Sequence, residues 1–340
     1  MEWVEAVNSK IEAEDGEYVS QLFGTSTDID ERLRSMDLYK VASPFSTLLG
    51  YQAEFLAEKS YGSSEQLIRN AVETIGREKW TGPIIKRIAH GLLELRNQRN
   101  SGRMSRLLLD MYRKLLEQEN PSFAYVGNAL FQMYLEMGKF RAAEDLLIAA
   151  REPPARSKGH YVFHYYRGII KMHQEDFKES YLSLEKAFKY GRWRKIMAPI
   201  YFTSSLLVNK SPKSIYLEKF ECSYLSKLAF VIREGMYMDV DDAARETLKE
   251  IKDYNLDRII SAHCPLVCFN NLVDKIYQRY GHDSRLDIQR IIEELPEIDF
   301  KEIICLLSSV IGFGRLRGYI SIGRKVVVLS RVDPFPTLSK

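Results

Sequence analysis

From Pro44 onward the apolar residues of this chain recur at helical spacing almost without a break, and β-type runs enter only in the last stretch, Asp299 to Lys340. A chain of this kind must build its core from helices and keep its strands at one end. The tail opens with Phe300, Ile303, Ile304, Leu307 and Ile311 on one helical face. Asp299 precedes them as an N-cap and Glu302 stands three residues on, as in a capping box. Gly312 and Gly314 end the helix. Two β-type runs follow, Leu316–Ser321 and Lys325–Ser330, joined by Ile322-Gly323-Arg324. Just upstream, Ile288, Ile291, Ile292 and Leu295 predict a short helix, and Pro296-Glu-Ile-Asp299 a turn. Helix, turn, helix, strand, tight turn, strand is the order of a winged helix.

Ahead of this module the pattern predicts helices over Glu65–Glu78, Pro83–Gln98, Met104–Glu117 and Pro121–Met137, with another lined by Phe45, Leu48, Leu49, Phe55 and Leu56. Pro44, Pro83 and Pro121 each stand where a helix would begin, the position that tolerates proline best. Short loops predict antiparallel helix pairs. A faint repeat follows. Phe140, after Tyr134-Leu-Glu-Met-Gly-Lys, and Phe177, after Ile170-Lys-Met-His-Gln-Glu-Asp, stand close to the roughly 34-residue period of tetratricopeptide-like helix pairs. Each pair leaves an apolar face that its neighbour covers, so the pairs stack into a right-handed solenoid. Further helices are expected over Leu217–Arg233, Asp239–Ile251 and Asp257–Arg279, with breaks at Gly191–Lys195 and Asn209–Pro212 and a hinge at Gly281–Ser284. The expected division is an acidic N-terminal segment 1–43, a helical-repeat solenoid 44–280 and a winged-helix domain 285–340. The first segment, with nine acids from Glu2 to Glu31 against Lys10, shows little packing pattern and predicts at most one short helix.

Composition excludes several classes. A net charge of +3 gives no global argument for nucleic acid, so any such surface must come from local distribution. Four cysteines, Cys222, Cys264, Cys268 and Cys305, make no disulfide framework in 340 residues and suit a reducing compartment. The acidic start lacks the basic and apolar regions of a secretory signal, and no apolar run approaches a membrane span, so an intracellular soluble protein without membrane contact is expected.

From about residue 120 to 340 the chain resembles the PCI-domain family of scaffold subunits. His164-Tyr-Tyr-Arg-Gly168, Glu175-Asp-Phe177 and Leu184-Glu-Lys-Ala-Phe188 are similar to that family's Tyr-Tyr-x-Gly, Asp-Tyr and Leu-x-x-Ala-Phe helix pair. Phe230-Val-Ile-Arg-Glu-Gly235 with Asp241-Asp-Ala243 resembles its Ala-x-Arg-x-Gly-Asn turn and Phe-Asp-x-Ala start, with Met236 where asparagine is usual. Gly318-Tyr-Ile-Ser321, Val326–Ser330 and Pro334-Phe-Pro336 resemble one branch: the messenger-RNA export subunit of the TREX-2 complex and its signalosome-associated relative. The resemblance implies a mainly α fold, solenoid plus winged helix, that together forms a PCI domain. It implies a nuclear setting, extending to the nuclear pore with some cytoplasmic protein. It also implies a second PCI-like scaffold subunit and a small, acidic, disordered protein as partners, with RNA or single-stranded DNA bound without sequence preference.

The residues that could carry such binding are cationic. Arg315, Arg317, Arg324, Lys325 and Arg331 lie in and around the wing, with Asp333 opposing them, and are the candidate nucleic-acid contacts. The alternative is a solvated strand edge kept soluble by charge. The exposed positions expected on the last helix, Lys301, Glu302, Cys305, Ser308 and Ser309, lack the side chains that read bases, so contact is expected with the backbone alone. A second set, Lys189, Arg192, Trp193, Arg194 and Lys195, with Lys186 and Tyr190, could meet nucleic acid or an acidic partner, although Trp193 is expected to pack between helix pairs. A third, from Arg77 to Lys114, reads as a solvated helical face.

No metal or cofactor is expected. His263, Cys264 and Cys268, with His282, lack the C-x2-C knuckle and read as buried structural residues. His160 and His164 share a helix face without a carboxylate partner in a motif. No phosphate loop, G-x-S-x-G, H-E-x-x-H or His-x-His motif occurs, which points to a non-enzymatic subunit. The competing expectation is a purely structural PCI subunit of a signalosome-like or proteasome-lid-like complex, with Val326–Ser330 adding a strand to a neighbour's sheet.

Overall fold

The structure is a computed structural model that describes residues 2–58, 60–94, 101–155, 157–190, 193–251, 255–281 and 283–336. It forms two compact units, Met1–Tyr166 and Arg167–Lys340.

The first unit begins with three helices, α1 (Glu2–Glu12), α2 (Gly16–Ser20) and α3 (Thr27–Ser35). More helix forms here than the acidic composition suggested. Glu5, Glu12, Glu14, Glu17, Asp28 and Glu31 are exposed, while Val4, Val7, Val19, Leu22, Phe23, Ile29 and Leu33 are buried. The Asp15 carboxylate caps α2 by accepting from the Tyr18 amide at 3.1 Å. Asn8 ties α1 to the following segment, donating to Lys40 O and accepting from Ala42 N. Residues 2–43 therefore pack into this unit and do not stand apart from it.

α4 (Phe45–Glu58), α5 (Tyr61–Ile75), α6 (Gly82–Glu94), α7 (Ser101–Glu117), α8 (Phe123–Glu136) and α9 (Phe140–Ala149) follow, and α10 (Lys158–His173) contains the division between the units. α4 packs on α5, α5 on α7, α6 on α8 and α7 on α8. α7 shows why. Met104, Leu107, Leu108, Met111, Tyr112 and Leu115 recur at three- and four-residue steps and are buried, while Arg103, Arg106, Asp110 and Arg113 face out. Burial of each such large apolar side chain contributes about 1.5–3 kcal/mol.

The second unit continues with α11 (Phe177–Tyr190), α12 (Arg194–Leu207), α13 (Ser214–Lys219), α14 (Ser226–Glu234), α15 (Val240–Leu248) and α16 (Asp257–Arg279). Phe140 and Phe177 open α9 and α11, the equivalent positions that the repeat implied. Gly168 lets α10 meet α11: a Cβ there would lie 2.4 Å from Leu184 Cγ. The helix expected over Leu217–Arg233 is two. Glu221 takes a left-handed conformation, and Phe220 turns into a cluster with Phe188 and Phe202. Gly235 ends α14 at φ +66°, close against the backbone of Leu272, so no side chain fits there.

The chain ends in β1 (Arg285–Asp287), α17 (Ile288–Glu294), α18 (Phe300–Gly312), β2 (Gly318–Ser321) and β3 (Val326–Leu329), a winged helix. Asp299 caps α18, accepting from the Glu302 amide at 2.7 Å. The antiparallel sheet has the order β1-β3-β2, with Leu286 opposite Val327 and Ile320 opposite Val327. Strand β1 begins just after the hinge expected at Gly281–Ser284, where the sequence suggested no strand. Its three residues offer one inward side chain, Leu286, too little for an alternating pattern. The module's core is Leu286, Ile288, Ile291, Ile303, Leu307, Val310, Val327 and Leu329, joined by Phe269, Val273 and Ile276 of α16. The winged helix thus shares its core with the preceding helix, and its packing does not stop at residue 285. The fold is mainly α: helical repeats followed by a winged helix.

Candidate docking and nucleic-acid interface

The cations singled out around the wing part company in the structure. Arg317, Arg324, Lys325 and Arg331 are exposed. Arg315 is not: it is 3% exposed, and this corrects its placement among the phosphate contacts. Gly314 turns the chain after α18, and the Arg315 side chain runs inward. Its Nη1 donates to Leu207 O, at the C-terminal end of α12, at 2.8 Å. A cation suits that position, because the unpaired carbonyls of a helix end carry partial negative charge. The guanidinium also lies 5.6 Å from the centre of the Phe177 ring. Burial pulls its pKa down to about 10, so it stays charged at neutral pH.

His263 completes this junction. Its ring lies edge-on to Phe177 at 4.7 Å and to Phe313 at 4.9 Å. Its Nε2 is 3.5 Å from a Glu175 carboxylate oxygen. Burial lowers the His263 pKa, partly offset by Glu175. Cys264 and Cys268 are fully buried beside it, and burial pushes both thiols up to about 12, which keeps them protonated and inert. His263, Cys264 and Cys268 form no metal cluster among the described residues. His282 lies outside the described residues. The junction joins α11, α12, α16 and the α18–β2 turn, so it sets where the wing sits in this unit.

The four exposed wing cations occupy both ends of the hairpin. Arg317 leads into β2, and its carbonyl accepts from Ser330 N, which places Arg317 beside Arg331. Arg324 and Lys325 form the opposite tip. Four residues of strand separate the ends by roughly 13 Å. Arg317 Nη1 is 3.4 Å from Asp333, both side chains being 55% exposed, a contact worth at most about 1 kcal/mol. Lys325 lies 5.9 Å from the Phe300 ring. On α18, Lys301, Glu302, Cys305 and Ser308 are exposed and Ser309 is half-buried. Both serine hydroxyls donate back to the carbonyls of Ile304 and Cys305, so this face offers little to a base edge.

Strand order corrects the expected docking edge. Val326–Leu329 is the central strand, paired on both sides, and cannot accept another. The edges are β1 and β2. β2 carries Tyr319, 63% exposed, and Ile322, next in the chain, is exposed too.

The second basic set lies where α11 gives way to α12. Trp193 is 55% exposed and does not pack between helix pairs as expected. Tyr190 and Ile196 are exposed with it. Lys195 pairs with Glu221, Arg194 donates to Lys189 O at 2.7 Å, and Lys189 lies 5.2 Å from the Tyr190 ring. Arg192 lies outside the described residues. In the third set, Lys86, Arg87, Arg103, Arg106 and Arg113 are exposed on helical faces, Arg77 is exposed in the turn after α5, and Arg96 and Arg99 lie outside the described residues.

No family model matches the chain. Among curated proteins it is 25% identical over 228 residues to "PCI domain-containing protein 2" of Xenopus laevis, covering 63% of this chain and 57% of that protein. It is 28% identical over 233 residues to "Protein CSN12 homolog" of Schizosaccharomyces pombe, covering 62% and 54%. Over a shorter stretch of 119 residues it is 27% identical to "COP9 signalosome complex subunit 12" of Eremothecium gossypii, covering 32% and 24%. The chain spans little more than half the length of the first two relatives. With a helical repeat running into a winged helix, this likeness to PCI domain-containing proteins supports a PCI-type reading of the chain.

Proposed function

We propose that this protein is a non-catalytic PCI-type scaffold subunit whose winged helix is its docking module. The observation that carries the reading is the Arg315 junction. A buried arginine bonded to the end of α12 and set beside the Phe177 ring fixes the wing to the helices, as a module that must present a surface in a set direction requires. The partners expected are a second PCI-like subunit and a small acidic protein, the latter along the exposed basic and aromatic turn at Lys189, Trp193, Arg194 and Lys195.

In the finer reading, the exposed rim of Arg317, Arg324, Lys325 and Arg331 holds RNA or single-stranded DNA by its phosphates, in a nuclear complex for messenger-RNA export. What supports it is that all four cations are exposed while Asp333 is the acid set against them. The test is the salt dependence of RNA binding by the purified chain. Affinity falling steeply with salt, and at least tenfold weaker in Arg324→Glu with Lys325→Glu, supports phosphate contact. Unchanged affinity in that variant removes it.

A second reading is favoured by the exposed apolar side chains at β2: a signalosome-like subunit in which the sheet edge docks a protein and the cations only keep it soluble. Its signature is co-purification of signalosome subunits that Tyr319→Lys abolishes, without measurable RNA binding.

A further inference from the structure

The two histidines of α10 meet a carboxylate that their sequence neighbourhood does not suggest. Glu152 lies in the loop between α9 and α10, eight to twelve residues before them. One donor atom from each of Glu152, His160 and His164 falls within 4.8 Å of the other two. Glu152 Oε1 is 3.1 Å from His164 Nε2 and 3.7 Å from His160 Nδ1. The imidazole rings stand edge to face, 4.5 Å apart.

The surroundings hold these three groups in place. Arg151 N donates to the Tyr112 hydroxyl at 3.3 Å, anchoring the loop beside Glu152. At the loop's other end the Ser157 hydroxyl accepts from His160 N at 3.1 Å and Ser157 N donates to Pro154 O. Gly159 presses on α8: its carbonyl accepts from Asn128 Nδ2, and a Cβ would lie 2.9 Å from Ala124 Cβ. His164 is buried, His160 is partly covered and Glu152 is half-exposed, so the cluster has a polar floor and an open mouth. These contacts fix the backbone on which the three groups stand, so their spacing is set before any ion arrives.

We infer that Glu152, His160 and His164 form a zinc site. Two imidazoles one helical turn apart with one carboxylate are a donor set that suits Zn²⁺, with water in the fourth position. Tetrahedral zinc places its ligand atoms about 3.4 Å apart, given bonds of about 2.1 Å. The Glu152–His164 distance already meets this, and the third donor closes by roughly 1 Å through rotation of the exposed Glu152 and the partly covered His160. His160 Nδ1 also lies 3.1 Å from Pro153 O, a contact in which a ring proton on Nδ1 occupies the metal's place. Binding through Nδ1 moves that proton to Nε2, with no change in the charge of the ring. Bound zinc would clip the loop to the start of α10 and stabilise this unit by mass action. The site lies outside the wing and does not depend on the scaffold reading.

The test is titration of the full-length, chelator-stripped protein with Zn²⁺ alone by calorimetry, alongside Co²⁺ absorption. The expected result is one zinc per chain, a rise in the melting temperature, and weak visible Co²⁺ bands of a nitrogen and oxygen site. Glu152→Gln and His160→Gln each weaken zinc binding at least tenfold, and both side chains are accessible enough for the variants to fold. Three results overturn the proposal: no stoichiometric zinc, unchanged affinity in the Glu152→Gln, His160→Gln double variant, or near-ultraviolet thiolate bands with Co²⁺, which would assign the metal to cysteine.

Discussion

Arg315 and Arg317 stand two residues apart in a run of similar composition, yet they meet opposite surroundings. Arg315 is enclosed by α11, α12 and α16, bonded to Leu207 O and set beside the Phe177 ring. Arg317 is more than half exposed and, among the described residues, its ion pair is with the exposed carboxylate of Asp333. The difference teaches that the cations of this tail do two jobs. The inner one holds the wing, and the outer ones define what the wing can attract. A buried charge is costly to leave without its partners, whereas a surface charge is screened and contributes little to folding.

The largest effect should come from the inner site. Arg315→Ala leaves Leu207 O without its donor and opens a void beside Phe177, which should cost about 2–4 kcal/mol, read as a lowered denaturant midpoint. A loss under 0.5 kcal/mol would erase the distinction between the two arginines.

Reversing charge at the tip, Arg324→Glu with Lys325→Glu, should do the opposite. Stability should stay within about 0.5 kcal/mol, while any RNA affinity falls at least tenfold and its dependence on salt flattens by about two phosphates' worth. If the variant loses stability as Arg315→Ala does, the tip is structural too.

Acid should act on the junction and spare the wing. Burial depresses the His263 pKa below its ordinary value of 6.5, so the folded protein resists protonation there. Below that value the unfolded chain takes up a proton that the folded one does not, and stability falls as pH drops from about 6.5 toward the lower folded pKa. His263→Gln should remove this part of the acid sensitivity, measured as melting temperature between pH 7 and pH 5. An unchanged slope would mean that other groups set it.

The smallest effect belongs to Asp333→Asn, which breaks the Arg317 contact and should change stability by less than about 1 kcal/mol. Freeing Arg317 should, if anything, tighten RNA binding at low salt. Weaker binding would show that Asp333 orients the rim and does not merely oppose it.

Much of this fold is legible in the chain because its determinants are local. Helix α16 follows its apolar spacing from Asp257 to Arg279, Asp299 caps α18 three residues from the amide that it accepts, and the hairpin β2–β3 follows from two short β-type runs around Gly323. Phe140 and Phe177 mark equivalent helix starts because a repeat places its elements at the same interval, although Phe177 is buried and Phe140 only half-buried. The exposed half of the candidate interface was legible for a similar reason: Arg324 and Lys325 follow a glycine in a tight turn, where side chains have nowhere to go but outward.

Tertiary structure decided the rest, since those features depend on residues far apart in the chain. Nothing around Arg315 announces Leu207, 108 residues earlier, as its partner. Leu286 becomes a strand residue only because Val327 lies opposite, and that pairing makes β3 central and closes the edge that the chain alone offered for docking. Trp193 is left in solvent because Phe188, Tyr201, Phe202 and Phe220 fill the space between their helices. Glu152 reaches His160 and His164 by way of a proline-containing loop that no helical period describes. Sequence by itself determined which segments become helix or hairpin, because backbone preference and apolar period act over a few residues. Which charges are enclosed, and which groups meet, was settled by packing, because burial is a property of the whole layer and not of the segment.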